Sequence, residues 1–232
     1  MDKKTGGRDY YPAFLNLKGR LAVVVGGGKV AERKVLGLLD AHAAIRLVCP
    51  ETTQRLENLA RDGLIEWRMR GFLAEDLDGA WLAIAATDDP AAQKAVYDGA
   101  ETRGIFCNTV DQPDLCSFIV PAVTRRGGLC LAVSTSGNSP ALAKRIKEEL
   151  EASIGQIFGT YTAMLGEIRD WLLSTRQDPV ERKILCQSLA ENKILTWMKN
   201  GEWDKIEDWA VTNYGEGAGE VVRRYRPSTK SL

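Results

Sequence analysis

Histidine is almost missing: His42 is the only one in 232 residues. That excludes any site built on two imidazoles, and with it the commoner zinc enzymes. The five cysteines, Cys49, Cys107, Cys116, Cys130 and Cys186, contain no C-x-x-C pair. This removes the redox dithiol and the usual soft-metal cage, and it fits reduced thiols in a cytoplasmic protein. No secretory signal precedes the first predicted strand, and no run reaches the roughly 18 apolar residues of a membrane span. Excess charge is lacking as well, since 31 Lys and Arg balance 31 Asp and Glu. No bulk basic surface argues for nucleic acid. What remains is an ordinary globular composition, 44% hydrophobic and 27% charged, long enough for one large domain or two smaller ones.

Over residues 21–31 an apolar, β-branched run breaks into three glycines and then enters a helical pattern. Such a run suits a parallel strand buried on both faces. Gly26, Gly27 and Gly28 permit a tight turn and close approach of a phosphate, and the free N–H groups of a helix beginning near Lys29 favour negative charge. The spacing Gly26-x-Gly28-x-x-Ala31 matches the dinucleotide fingerprint with alanine in its third place. Val30, Val35, Leu38 and Leu39 predict the buried stripe of that helix. His42 follows it at a position suited to a left-handed residue and reads as structural.

A second strand over residues 45–49 leads into Pro50 and Glu51. Glu51 reads equally well as the ribose-binding carboxylate that favours NAD over NADP, or as an acidic first-turn residue of a helix over residues 52–62. Further strands are predicted at 65–69, 81–86 and 105–110, with Asp89 and Pro90 opening an intervening helix. Strands alternating with helices at this spacing give an α/β, doubly wound parallel sheet of the Rossmann type, which binds ligands at the carboxyl ends of its strands. Thr87 and Asp111 fall at that edge. A carboxylate there could move a proton while a nicotinamide takes hydride, and it could equally be a turn or cap residue.

After Pro113 the pattern changes. Residues 118–123 and 129–134 predict an antiparallel hairpin joined through Arg125-Arg-Gly-Gly128, with Pro121 marking an edge or bulge. Ser139 is a candidate N-cap and Pro140 a first helical residue. Apolar residues from Leu142 to Leu172 mark one long helix or two in line, with Gly155 and Gly159 as the expected break. Asp178 and Pro179 open another helix, and Ile194, Met198, Trp203, Ile206 and Trp209 complete a small helical region. From Gly215 the glycine-rich, basic chain predicts a mobile tail, and residues 1–8 a loose end.

In chain order, Gly26-Gly-Gly-Lys-Val-Ala-Glu-Arg-Lys34, Trp81-Leu-Ala-Ile-Ala-Ala-Thr-Asp-Asp89, Phe106-Cys-Asn-Thr-Val-Asp111, Ser117-Phe-Ile-Val-Pro121 and Ser134-Thr-Ser-Gly-Asn-Ser-Pro-Ala-Leu-Ala143 resemble the precorrin-2 dehydrogenase/sirohydrochlorin ferrochelatase part of the siroheme synthase family. The match runs from about residue 11 to 151, and beyond it the helical region fits only in character. The resemblance implies NAD-dependent oxidation of precorrin-2 to sirohydrochlorin and, in many members, insertion of Fe2+ to give siroheme. It implies a homodimer with an NAD-binding domain (1–112), a dimerisation segment of hairpin plus helix (113–152), a helical C-terminal domain (153–214) and a tail (215–232). The family's catalytic aspartate falls on Asp111, and its NAD contacts fall near Lys29, Val30, Pro50 and Glu51, beside Gly26, Gly28 and Thr87. Thr135 stands where some relatives carry a phosphorylatable serine, so phosphorylation is not expected. The methyltransferase domain fused to some relatives does not fit in the residues given, and uroporphyrinogen methylation is not expected.

A substrate bearing eight carboxylates needs cationic and N–H partners. Arg125, Arg126, Lys144, Arg145 and the helix start at Pro140, with Thr135 and Ser139 beside it, could supply them. Each also reads as an ordinary solvated surface group. Without a metal cage of its own, the chain would pass Fe2+ to the macrocycle. Two narrower readings stand beside this one: a dehydrogenase without chelatase activity, and a non-catalytic module that responds to NAD.

Overall fold

The continuous apolar run of the first strand has a direct cause: both of its faces are buried. Ala22 and Val24 pack into a layer with Ala31, Val35, Leu38 and Leu56, while Val23 and Val25 face Leu77, Val96 and Ala100 on the other side. In this computed structural model, which describes residues 10–227, that strand is the middle of a five-stranded sheet. The expected loose end at residues 1–8 and the last five residues of the expected tail lie outside the described residues.

The chain divides into two compact units, one running through Val120 with residues 136–138, the other comprising residues 121–135 and the chain from Ser139 onward. In the first unit β1 (Leu21–Val25), β2 (Ala44–Val48), β3 (Glu66–Arg68), β4 (Ala80–Ala85) and β5 (Phe106–Thr109) pair in parallel in the order β3-β2-β1-β4-β5. Helices α1 (Lys29–Asp40) and α2 (Gln54–Arg61) lend Val35, Leu38 and Leu56 to one side of the sheet, and α3 (Pro90–Arg103) lends Val96 and Ala100 to the other. This is the doubly wound arrangement that the alternation of strand and helix predicts. His42 has φ 57°, directly after the Ala41 cap of α1, which agrees with its structural reading. Val30 departs from the expected stripe. It is exposed, and Ala31 takes the buried place.

The second unit opens with the antiparallel pair β6 (Ala122–Arg126) and β7 (Leu129–Val133). The first hairpin strand therefore begins after Pro121 and includes both arginines, where residues 118–123 were expected. Proline lacks the N–H a ladder uses, so the strand starts beyond it. The turn is Gly127 and Gly128, and a side chain on Gly127 would strike the Gly159 backbone at 2.9 Å. The long apolar helix is two: α4 (Pro140–Ser153) and α5 (Ile157–Thr175), separated around Gly155. Gly159 lies inside α5, where its bare Cα lets the hairpin turn approach.

Helices α6 (Pro179–Ser188), α7 (Asn192–Asn200), α8 (Trp203–Tyr214) and α9 (Glu216–Tyr225) complete this unit. Met164, Ile168 and Leu172 of α5 share one core with Ile194, Ile206, Ala210, Tyr214, Ala218, Val221 and Val222. The last three belong to α9, so the mobile tail expected from Gly215 is corrected through residue 225. A Cβ on Gly217 would lie 2.3 Å from Trp171 and one on Gly219 2.4 Å from Val211, so these glycines are packing contacts. The basic residues are paired as well: Arg223 with Glu207 at 2.9 Å, Arg224 with Glu167 at 2.6 Å and Arg226 with Asp204 at 2.7 Å. Among the described residues no helix is long and apolar enough to cross a membrane.

Candidate functional site

The parallel register brings the carboxyl ends of four strands level. Val25 pairs with Val48 and with Ala85, and Ala85 with Thr109. The exits are stitched in the same order: Gly26 N–H to the Val48 carbonyl at 3.0 Å, Ala86 N–H to Val25 at 2.7 Å and Val110 N–H to Ala85 at 2.9 Å. One edge thus carries the glycine turn, Pro50 and Glu51, Thr87 and Asp111.

The three glycines of the turn have different physical reasons. At Gly26, φ is 120°, and an added Cβ would stand 2.0 Å from the Ala86 carbonyl oxygen. Gly27, an unconstrained position in the fingerprint, is the tightest: its Cβ would lie 1.9 Å from the Glu51 carbonyl oxygen. Two hydrogen bonds hold that approach, from the Thr53 N–H to the Gly27 carbonyl at 3.1 Å and from Thr52 Oγ1 at 3.3 Å. Gly28 is exposed, with nothing within 4 Å of where a Cβ would be. Its place is open to a ligand.

Gly28 begins α1 without any side-chain cap, whereas α2 and α3 are capped by Thr53 and Asp89. The first-turn amides of α1 therefore keep their capacity for an anion, and the helix dipole adds to it. Lys29 and Val30 project exposed side chains from the same turn, and Lys29 Nζ lies 3.2 Å from Glu32. Glu32 is buried and receives the Thr53 hydroxyl at 2.5 Å. That hydrogen bond, helped by Lys29 and opposed by burial, holds its carboxyl below the usual range. The pair ties the start of α1 to the start of α2. Since α2 begins at Gln54 with Thr53 as its cap, Glu51 lies outside the first turn that the alternative reading gives it. Its side chain is exposed at the end of β2.

On the other side of the glycine turn, Gln93 is buried and donates to the Thr87 carbonyl at 2.7 Å and the Val110 carbonyl at 3.5 Å. It binds the exits of β4 and β5 together. Asp111 itself is exposed and has φ 59°. Lys34 of α1 is half-buried nearby. Burial and then Arg33 push its ammonium down in pKa, while Asp111 works against both. Gln93, Lys34 and the Glu32–Thr53 pair carry no periodicity or motif of their own, although Glu32 and Lys34 fall within the stretch Gly26–Lys34.

The other predicted residues belong to the second unit. Thr135 Oγ1 accepts the Ser139 N–H at 3.0 Å, and Ser139 Oγ accepts the Leu142 N–H at 3.2 Å as the cap of α4. Lys144 is exposed, 3.8 Å from Glu148, and Arg145 is 3.4 Å from Glu149. Arg125 is exposed on β6. Arg126 differs from the expectation of a substrate-facing cation: it donates to the Ile154 carbonyl at 3.1 Å and pairs with Glu151 at 3.3 Å, fixing the α4–α5 break.

An uncapped helix start behind a glycine turn, at the carboxyl edge of a parallel sheet, defines a dinucleotide-binding protein of the Rossmann class. Residues 13–122 match the family described as "Putative NAD(P)-binding", and residues 126–153 match "Sirohaem biosynthesis protein central". The chain is 41% identical over 199 residues to "Siroheme synthase" of Pseudomonas entomophila, covering 86% of this chain and 43% of that protein. It is 42% identical over 218 residues to "Siroheme synthase 3" of Aeromonas hydrophila, covering 92% and 47%. It spans less than half the length of these curated relatives. A solved structure, "SirC, precorrin-2 dehydrogenase", superposes with a TM-score of 0.69 at 30% identity, covering 81% of this chain and 92% of that one. The chain belongs to the siroheme synthase family, matching the NAD-binding and central domains of its N-terminal part.

Proposed function

We propose that the protein oxidises precorrin-2 to sirohydrochlorin with NAD+ as hydride acceptor. The observation that carries this is the shared sheet edge, which joins an uncapped helix start at Gly28 to an exposed carboxylate at Asp111 through aligned strand ends. The residues fit the cofactor: Gly28 leaves open the space that a Cβ would fill, and the first-turn amides of α1 have no side-chain acceptor. The α1 amides and Lys29 would hold the pyrophosphate, and Glu51 the adenosine ribose, with Val30, Pro50 and Thr87 lining the cleft. NAD, when bound, supplies the hydride acceptor. Removing two hydrogens from the macrocycle releases one as a proton, and Asp111 is the group we assign to receive it. Gln93 acts through Thr87 and Val110 to hold that edge in shape.

The reading extends to Fe2+ insertion into sirohydrochlorin, with Asp111 accepting pyrrole protons as the metal enters, and to a homodimer in a cytoplasmic setting. Arg125, Lys144, Thr135 and Ser139 are the groups we assign to substrate carboxylates. A coupled assay tests the whole: precorrin-2 loss, NADH appearance and siroheme formation followed in one anaerobic sample containing NAD+ and Fe2+. NADH and siroheme both rising with protein supports the full reading. NADH without accelerated siroheme formation reduces it to the dehydrogenase, and no NADH removes it.

A further inference from the structure

Asp111 sits in the left-handed region, φ 59°, a conformation that costs a non-glycine residue free energy and persists only where neighbours hold it. It occupies the third place of a turn from Thr109 to Gln112, closed by the Gln112 N–H donating to the Thr109 carbonyl at 3.3 Å. Glycine or asparagine is the usual occupant of such a place. One sulfur atom joins both ends of this turn a second time. Cys116 Sγ lies 3.2 Å from the Thr109 carbonyl oxygen and 3.3 Å from that of Gln112, either of which can take its S–H. It accepts the Thr109 N–H at 3.2 Å and the Asn108 side-chain amide at 3.6 Å.

The chain around the sulfur is itself fastened to β5. Ser117 Oγ accepts the Cys107 N–H at 2.8 Å, and the Ser117 N–H donates to the Cys107 carbonyl at 2.8 Å. Asn108 also donates to the Phe118 carbonyl at 3.0 Å. The sulfur is therefore held from behind and meets the Asp111 turn from a fixed position. We propose that Cys116 is a positioning residue for Asp111: its thiol, bonded to both ends of the turn, sets the direction in which the carboxylate leaves the sheet edge. The proposal rests on Asp111 being the proton-accepting group of the dehydrogenase.

Alanine or valine at residue 116 removes both the donor and the acceptor, valine while filling the volume. Serine keeps both. The full chain carrying Cys116→Ala, Cys116→Val, Cys116→Ser or Asp111→Asn is assayed for NADH formation from precorrin-2, with NAD affinity and circular dichroism measured on each. For the alanine and valine variants kcat falls roughly 10- to 100-fold while the Kd for NAD stays within about twofold, and serine recovers kcat to within about threefold. Wild-type kcat in both apolar variants, with Asp111→Asn slow, overturns the proposal and leaves the aspartate's role standing. Wild-type kcat in Asp111→Asn instead removes the reading on which it rests. Should one apolar variant not fold, the other decides. Loss of NAD affinity in step with kcat, or loss of the folded spectrum in both, would mean a structural role and also overturn it.

Discussion

Gly27 and Gly28 are adjacent, identical and held for unlike reasons, which makes them separable by substitution. Any side chain at Gly27 collides with the backbone oxygen of Glu51 1.9 Å away, and backbone cannot retreat as a flexible side chain can. Gly27→Ala is expected to destabilise the protein by about 2–3 kcal/mol, read as a lower Tm without NAD. Gly28 is in extended backbone, φ −79° and ψ −174°, which any residue adopts. Gly28→Ala is expected to leave Tm within about 2 °C and to weaken NAD binding by roughly tenfold, because the methyl group occupies the space a phosphate would enter. Equal effects of the two on Tm would contradict this division. Asp76 supplies a pH-dependent case. It is fully buried and meets Arg68 at 2.5 Å, Arg70 at 2.8 Å and the Leu73 N–H at 2.8 Å. Burial alone would raise its pKa, but the hydrogen bonds from Arg70, the Leu73 N–H and Arg68 outweigh it and bring the carboxyl down to about 2. A folded pKa below the unfolded value stabilises the protein above about pH 4, and that contribution is lost as pH falls through 4 toward 2. Asp76→Asn is expected to cost on the order of 2 kcal/mol at pH 7 and much less near pH 2, measured by urea unfolding at the two pH values.

Elements were legible where their signal was local. The apolar run of β1, the caps at Asp89, Ser139 and Asp178, and the break near Gly155 all follow from residues a few positions apart. The placement of Gly26, Gly28 and Asp111 at one sheet edge was legible for the same reason, since they follow the ends of predicted strands. Helix α9 was not. Its glycines resemble chain breakers, and its arginines resemble a solvated tail until Trp171, Glu167 and Glu207 are brought against them. Gln93, Cys116 and the Glu32–Thr53 pair escaped notice likewise, because their partners are set by tertiary packing. Gly217→Ala tests the α9 account directly: with a Cβ 2.3 Å from the Trp171 ring, it is expected to cost about 1–3 kcal/mol and to speed amide exchange through residues 216–225. Unchanged protection of those amides would show that close packing does not hold the helix.

The whole molecule combines a dinucleotide sheet and a hairpin-and-helix unit, each with its own core. Its balanced charge, 31 basic against 31 acidic residues, leaves association to shaped surfaces. The proposed homodimer predicts a sedimentation-equilibrium mass near twice the 25.5 kDa of the chain, and the monomer mass at micromolar concentration would remove it. In the proposed site Gly28 holds the cofactor and Asp111 handles the proton. Pre-steady-state NADH formation from saturating precorrin-2 and NAD+, comparing wild type with Asp111→Asn, measures that most directly. For Asp111→Asn an NAD Kd within about twofold of wild type and a rate lower by roughly 100-fold or more are expected. An unchanged rate of NADH formation would contradict that role for Asp111.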